Sequence, residues 1–292
     1  MDKPLVTIIT PVYNCEKYIN ETILSVLTQE YKNLEYIVLD DGSNDNTALR
    51  LHSYKDRIIS IQHANVGEQI TVNLGLQMAN GKYFMVVNAD DPLLPWAVDT
   101  LVEFMESHPN IVACYPDWIS INEDGSWRSR QSNRDYDFLR MVKYHKCLPS
   151  VGTMVHRKVI DMRILRDSQF KWVGDFDYWL RVGLIGEMAR IPKVLATWRH
   201  SPNQGSNNKG KLMAIEHVKL MEKFFNIPSL PNEILKVKDD AFFWAELSAA
   251  YLSKGNDRLY HLMEAIRFYP QKLLNLSNYK VLVEHANYIL RR

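Results

Sequence analysis

Apolar and polar positions follow two alternating rhythms through the first two thirds of the chain. Short β-branched runs close in polar clusters, and between them apolar residues return at helical spacing. Leu5 to Thr10 is the first run, and Pro11 is expected to stop it. Asn14 is placed to cap a helix carrying Tyr18, Ile19, Ile23, Leu24 and Leu27. Leu34 to Leu39 is the second strand and ends in Asp40-Asp41-Gly42-Ser43, a carboxylate pair with turn residues. Asp45 to His52 predicts a short helix and Arg57 to Gln62 a third strand. Gly67 opens a helix carrying Ile70, Leu74 and Met78, stopped by Asn80-Gly81. The run from Tyr83 then ends in Asn88-Ala89-Asp90-Asp91. Asp90 and Asp91 cannot follow Val86 and Val87 into a core, because an unpaired buried carboxylate costs several kcal/mol or more. This β-α-β-α-β-α-β order implies a parallel sheet with helices on both faces.

The second half is more mixed. Pro95 suits the first turn of a helix carrying Leu101, Val102 and Met105. Ile111 to Tyr115 predicts a strand, and Asn122-Glu123-Asp124-Gly125 a hairpin between Ile119–Ile121 and Trp127–Ser129. Helices are expected over Asp135 to His145 and Asp175 to Leu184, and strands over Gly152 to His156 and Lys193 to Trp198. Ser201 to Lys211 is polar enough for a loop. From Leu212 the pattern is helical almost throughout. Its helix, turn at Gly255, helix and Pro270 outline a single tetratricopeptide-like hairpin or a helical cap. The fold class expected is α/β, with a mostly parallel central sheet and a C-terminal helical appendage.

Composition narrows the class without naming a function. The 292 residues are 46% hydrophobic and 24% charged, as in soluble globular proteins. A formal net charge of +1 gives no electrostatic footprint for nucleic acid. Three widely spaced cysteines, Cys15, Cys114 and Cys147, argue against a disulfide framework and fit a reducing cytosol. The N-terminal residues show no signal-peptide core, and no run approaches the ~20 apolar residues that span a bilayer.

In open α/β sheets, ligands collect at the carboxyl ends of strands. Here those ends supply Thr10 and Tyr13, Asp40 and Asp41, and Asn88, Asp90 and Asp91. The helix starts between them supply Asn65, Gly67 and Gln69. Neither G-x-G-x-x-G after the first strand nor G-x-x-x-x-G-K-[ST] occurs. A carboxylate-rich edge repels phosphate unless a divalent cation bridges the two. Hard oxygen ligands suit Mg²⁺ or Mn²⁺, held by one or two carboxylates plus substrate phosphates. The residues therefore support a metal–nucleotide or metal–diphosphate site, or a simple strand cap before Pro92.

Taken together, these stretches resemble the family 2 glycosyltransferases of the GT-A fold. The matching pieces run in order. Thr7-Ile8-Ile9-Thr10-Pro11-Val12-Tyr13-Asn14 comes first, then Ser25-Val26-Leu27-Thr28-Gln29, then Tyr36-Ile37-Val38-Leu39-Asp40-Asp41-Gly42-Ser43-Asn44-Asp45-Asn46-Thr47. Asn65, Gly67, Asn73, Gly75, Ala79 and Gly81 follow, with Asn88-Ala89-Asp90-Asp91 and Pro95 after them. Gly174-Asp175-Phe176-Asp177-Tyr178-Trp179-Leu180-Arg181 and Trp198-Arg199-His200 complete the set. The resemblance spans roughly residues 5–205. It implies a catalytic domain over 1–205, with 1–100 binding nucleotide and 101–205 binding acceptor, followed by a helical region over 206–292.

The resemblance also implies roles. Thr10, Pro11, Tyr13, Asp40, Gly67, Gln69, Asn88, Ala89 and Asp90 would bind a nucleotide-sugar donor. Tyr13 would stack on the base, unless it is a core aromatic. Asp40 would accept from the base imide, which favours uracil or thymine. Asp90, supported by Asp91 and His200, would hold Mn²⁺ or Mg²⁺. Asp175 would be the catalytic base of an inverting transfer; its alternative is a helix N-cap. His200 is otherwise a loop histidine, and Trp172, Trp179 and Trp118 stack on sugars or pack in the core. Three departures stand out: Asn88 fills one end of a D-x-D motif, Val72 stands where many members have Arg, and Gly174 replaces the Glu that usually precedes the base. The implied activity is metal-dependent hexosyl or N-acetylhexosaminyl transfer from a UDP-sugar to a saccharide or lipid-linked acceptor. Its setting would be bacterial surface-polysaccharide or glycan assembly in the cytoplasm, at the inner face of the membrane. Tyr288 to Arg292 would pack in the ordinary way or offer peripheral membrane contact, and Ser201 to Lys211 a lid over the donor. Transfer yielding a glycosyl phosphate, or an inactive nucleotide-binding or scaffold protein, are the alternatives.

Overall fold

The structure is a computed structural model and describes residues 3–201 and 210–268. Its elements alternate as the hydrophobic pattern requires. They run β1 (Val6–Val12), α1 (Ile19–Leu27), β2 (Leu34–Asp40), α2 (Thr47–His52), β3 (Ile59–Gln62), α3 (Glu68–Met78), β4 (Tyr83–Val86) and α4 (Ala97–Ser107). Then come β5 (Ile111–Ile121), β6 (Trp127–Gln131), α5 (Phe138–Lys143), β7 (Met154–His156), α6 (Lys158–Asp161), α7 (Gly174–Gly183) and β8 (Glu187–Arg199). The helices α8 (Lys211–Phe225), α9 (Asn232–Leu235), α10 (Lys238–Leu252) and α11 (Gly255–Phe268) follow.

The chain forms two compact units. The first is Met1–Tyr136, Leu148–Gly174 and Arg181–Pro202; the second is Asp137–Cys147, Asp175–Leu180 and Asn203–Arg292. In the first, one mixed, mostly parallel sheet runs β3-β2-β1-β4-β7-β5-β6, with β8 also pairing β5. Pairings β1–β2, β1–β4, β2–β3 and β5–β8 are parallel; β7 lies antiparallel between β4 and β5, and β6 antiparallel to β5. The chain leaves β1 toward β2 and β3, then returns to place β4 on the other side of β1. That reversal makes the carboxyl ends of β1 and β4 the switch point where such sheets bind ligands.

Several boundaries differ from those the sequence predicts, each for a local reason. β1 continues through Pro11, which lies opposite Leu39, to Val12, opposite Asp40. The Ile9 carbonyl accepts from Val87, just past the end of β4. Pro11, two residues on, turns its donorless nitrogen to that same side, where no β4 partner remains. β5 and β8 run unbroken past Pro116 and Pro192 because their register shifts around Pro116, Asp117 and Trp118. Arg190 grips Asp117 there with two hydrogen bonds of 2.9 Å. In α3 the buried face is Gln69, Thr71, Val72, Gly75 and Leu76, while Ile70 and Leu74 face outward. Gly75 sets this rotation: a Cβ there would lie 2.5 Å from Ile9 Cγ2, so the helix rides on β1 through its smallest residue.

In the second unit, α10 is buried along most of its length. Phe243, Trp244 and Ala265 form a core with Tyr144, Leu247 and Phe268 packed around it. Glu246 and His261 meet inside it at 2.6 Å. The helix–turn–helix expected around Gly255 is formed by α10 and α11. Pro270, the tail from Tyr288 and most of the proposed lid lie outside the described residues. No described helix is long and apolar enough to cross a membrane.

Candidate active site

The loops after β1 and β2 lock together. Asn14 does not cap α1, which starts at Ile19 after Tyr18 with no side-chain cap. Instead Asn14 takes a positive φ of 49°; its Oδ1 accepts from Asn44 N at 2.8 Å, and its own amide donates to Ser43 Oγ at 2.9 Å. The Cys15 amide donates to Thr47 Oγ1, and the Glu16 amide to Asp45 Oδ2. Tyr13 emerges from this framework 51% exposed, an open aromatic face rather than a core ring.

The two carboxylates at the end of β2 have different surroundings. Asp40 is wholly buried. Its Oδ1 accepts from Ser43 N at 2.9 Å, and its Oδ2 is buried with no partner. Asp41 begins the loop and organises the entry to α3. Its Oδ1 accepts from Val66 N at 2.6 Å and its Oδ2 from Gly67 N at 2.9 Å. Its carbonyl accepts from the Asn65 side chain at 2.9 Å. Gly42 makes the approach possible: φ is +73°, and a Cβ would sit 2.7 Å from Asn65 N. Thr10 lies behind, fully buried, its hydroxyl paired with the Tyr36 hydroxyl at 3.1 Å.

The strap after β4 is pinned from α1 and from β8. Thr22 Oγ1 donates to the Ala89 carbonyl, Leu93 N donates to Ser25 Oγ, and Gln29 Nε2 donates to the Leu94 carbonyl. Asp91 is buried; its Oδ1 accepts from Arg199 N at 2.8 Å and its Oδ2 from Asn88 Nδ2 at 2.9 Å. Asn88 is exposed, and Asp90 is half-buried. Burial pushes the Asp90 carboxyl up, the Arg199 charge and its own backbone amide draw it down, and Glu68 adds a further upward push. Burial, then the Asp90 charge, raise Asp91 well above the usual carboxylate range. An acid pair so disposed is relieved by a cation.

Arg199, a lone arginine with no spacing pattern in the sequence, is 1% exposed. Its Nε donates to the Asp90 carbonyl at 3.0 Å. One terminal nitrogen donates to the Glu123 carbonyl at 2.9 Å, and the other meets Glu21 Oε2 at 2.5 Å. The guanidinium lies 5.0 Å from the Tyr18 ring centre. Its neighbour His200 faces elsewhere: its ring contacts Ser120 Oγ at 3.3 Å and packs on Trp198. Burial and Arg128 lower its pKa, which favours the neutral ring. Among the described residues no three His, Cys, Asp or Glu side chains converge as a metal cage, so Asp90, Asp91 and His200 do not form one. Trp118 packs edge-on against Trp198, within the fold.

Gln69 and Gly174 explain each other. Gln69 is buried, and a Cβ on Gly174 would lie 2.8 Å from its Cδ. The carboxamide fills the space a side chain at 174 would need, and its Oε1 accepts from Arg166 at 3.3 Å. Val72 is fully buried and faces the sheet. In the second unit, Asp175 lies in the first turn of α7; the N-cap is Val173, so Asp175 is not a cap. Its Oδ1 accepts from Phe176 N at 2.8 Å. Asp177 is buried against Lys223 Nζ at 2.6 Å.

A crossover sheet whose switch point carries an open aromatic ring, a buried acceptor and an acid strap has the architecture of an open α/β sheet with its ligand site at the strand ends. The family model for glycosyl transferase family 2 matches residues 7–170, and the chain belongs to that family. An uncharacterised glycosyltransferase of Haemophilus influenzae is 30% identical over 221 residues, 70% of this chain and 68% of that protein. One from Rickettsia prowazekii is 27% identical over 99% of this chain and 92% of its own. Among solved structures, S. aureus TarS 1-349 in complex with UDP-GlcNAc superposes with a TM-score of 0.72 at 18% identity, covering 97% of this chain and 89% of that one. The mannosyltransferase PcManGT from Pyrobaculum calidifontis, in complex with GDP-Man and Mn²⁺, gives 0.63 at 16% identity, covering 99% and 81%. The fold is thus the GT-A α/β fold, and the protein is a glycosyltransferase.

Proposed function

We propose that this glycosyltransferase performs metal-dependent, inverting transfer of a hexosyl or N-acetylhexosaminyl group from a UDP-sugar to a saccharide or lipid-linked acceptor. The observation that carries the donor reading is Asp40 Oδ2, a buried acceptor with no partner, on the strand position in register with Val12, next to the exposed Tyr13. A buried acceptor left empty costs about 1–3 kcal/mol. Once the loop covering Asp40 shifts aside, the imide N–H of a uracil stacked on Tyr13 would fill it. Residues 1–100 are assigned to nucleotide, 101–205 to acceptor, and 206–292 to a helical region.

The residues also fit a divalent cation, in a specific way. They offer hard oxygens, Asp90 foremost and the Asn88 carbonyl beside it, and no three-residue cage. Such a set suits Mg²⁺ or Mn²⁺ completed by substrate phosphates, and suits a metal alone poorly. When bound, the cation would neutralise the diphosphate leaving group. Asp91, clamped by Arg199 and Asn88, supports Asp90; His200 is assigned only on the resemblance. Asp175, also on the resemblance, takes the proton of the acceptor hydroxyl as it attacks the anomeric carbon. We place the reaction in bacterial surface-glycan assembly, at the cytoplasmic face of the membrane.

Thermal shift with UDP-, GDP- and TDP-sugars, each with Mn²⁺ or EDTA, tests the donor. The largest shift is expected for UDP-sugars with Mn²⁺, and no metal-dependent shift with any donor would overturn the reading. Asp175→Asn should abolish turnover and keep UDP affinity; sustained turnover would remove Asp175 as base.

A further inference from the structure

We infer that Arg199 is a positioning residue for Asp90: its buried guanidinium and backbone amide hold the strap immediately after that carboxylate, at the Asp90 carbonyl and the Asp91 side chain, and tie it to α1 and to the β5–β6 hairpin. The inference rests on the metal–UDP reading above and adds a residue to it. The geometry is specific. Arg199 N holds the Asp91 carboxylate at 2.8 Å, and Arg199 Nε holds the Asp90 carbonyl at 3.0 Å. The peptide between Asp90 and Asp91 is therefore clasped from both ends by one residue. The other arms of the guanidinium reach Glu21 on α1 and the carbonyls of Asn122 and Glu123 in the hairpin turn. That turn is also anchored through Glu123 to Lys17 and to the Tyr18 hydroxyl.

A mere fastening does not call for an arginine. Burying a cation costs several kcal/mol before its partners repay it, and apolar packing can join the same segments without that cost. The planar fork offers five donors in fixed directions, which a lysine cannot reproduce. Here those donors converge on the backbone that carries the acid pair. Groups that orient a metal's ligands without touching the metal typically set its affinity by about 10–100-fold.

The test compares the affinity for UDP in Mg²⁺ with that in EDTA, for wild type and Arg199→Lys. Arg199→Lys should reduce the metal-dependent gain by roughly 10–100-fold, while UDP affinity in EDTA stays near wild type. A retained gain, or an equal loss in both conditions, overturns the inference and leaves the donor reading standing. A wild type with no gain overturns the metal reading and this inference with it. Because the variant could fail to fold, ¹⁵N spectra of the wild-type guanidinium groups give a second measurement. The Arg199 Nε–H resonance should shift on adding Mg²⁺ with UDP and stay put with uridine. Arg190 Nε–H, bonded to Asp117, is the internal control. A stationary Arg199 signal, or one that moves no more than Arg190, overturns the inference.

Discussion

Asp41 offers the sharpest quantitative test, because its carboxylate is bonded to two backbone amides in one loop. Val66 N and Gly67 N approach Oδ1 and Oδ2 at 2.6 and 2.9 Å, while Asp41 itself is 4% exposed. Hydrogen bonds to a charged acceptor contribute about 1.5–3 kcal/mol each. Val66 and Gly67 are exposed, so water can replace part of what is lost. We therefore expect Asp41→Asn, which keeps one acceptor and turns an N–H₂ toward the other amide, to weaken the loop by roughly 2 kcal/mol. Two units in one chain make a single unfolding free energy a poor readout. Native-state hydrogen exchange reads the loop directly: 2 kcal/mol is about a 30-fold faster exchange at Val66 and Gly67. Amides in β1 should be unaffected. Exchange at Val66 and Gly67 changed by less than about threefold would refute the view that Asp41 holds the entrance to α3.

Three further outcomes follow from single contacts. Asn88→Asp sets a carboxylate against Asp91 Oδ2 where a donor now stands at 2.9 Å; its thermal midpoint in EDTA should fall, with the deficit narrowing in Mn²⁺ plus UDP, and an unchanged midpoint in EDTA would contradict the donor role. Gly174→Glu must shift the Gln69 carboxamide, the far end of a flexible side chain, so its thermal midpoint should fall only slightly, and Gln69→Ala in the same chain should remove that deficit. Burial alone would raise the Asp117 carboxyl, but Arg190 and its other hydrogen bonds outweigh that and hold it below its usual value. A folded-state pKa below the unfolded value of ~3.9 contributes stability above that value and loses it as pH falls through the folded one. Asp117→Asn should therefore flatten the stability profile below about pH 4, and parallel acid slopes for the two proteins would count against the pairing.

The β-α-β-α-β-α-β order was legible because each strand is a short apolar run closed by turn residues, and nothing in the packing overrides that. Prolines were misleading. Pro11 and Pro116 look like strand ends, yet one points its nitrogen past the end of β4 and the other sits in a shifted register. The buried face of α3 was not legible because Gly75 carries no hydrophobic signal, although it decides how closely the helix approaches β1. Within the site, Asp40 was legible as the end of a strand. Arg199 was not. Its partners lie 109, 76 and 178 positions away, and one arginine after a tryptophan has no spacing to read. Asn88 looked like a missing charge from sequence. In the fold it is a donor to a carboxylate that already has a negative neighbour.

The two acid pairs obey one rule, which neither shows alone. In Asp40-Asp41 and in Asp90-Asp91, the second carboxylate is engaged by backbone amides: Val66 and Gly67 on Asp41, Arg199 on Asp91. The first keeps acceptor capacity. Asp40 has an empty oxygen, and Asp90 is half-buried with its own amide as a hydrogen-bond partner. At the end of β2 successive residues point to opposite sides, so Asp40 and Asp41 divide between ligand side and loop; Asp90 and Asp91 lie in a turn beyond β4, where the Arg199 and Asn88 bonds to Asp91 make the same division. A four-variant comparison separates the two jobs. Asp40→Asn and Asp90→Asn should keep the wild-type thermal midpoint and lose UDP affinity, the first with or without metal and the second in its presence alone. Asp41→Asn and Asp91→Asn should lower the midpoint, and their loss of UDP affinity should follow from that. Asp91→Asn leaves an acceptor for Arg199 N but sets an amide against Asn88 Nδ2, so its cost should approach one lost hydrogen bond, about 0.5–1.5 kcal/mol. Equal midpoints across all four variants would break the rule, as would Asp90→Asn binding UDP in Mg²⁺ as tightly as wild type.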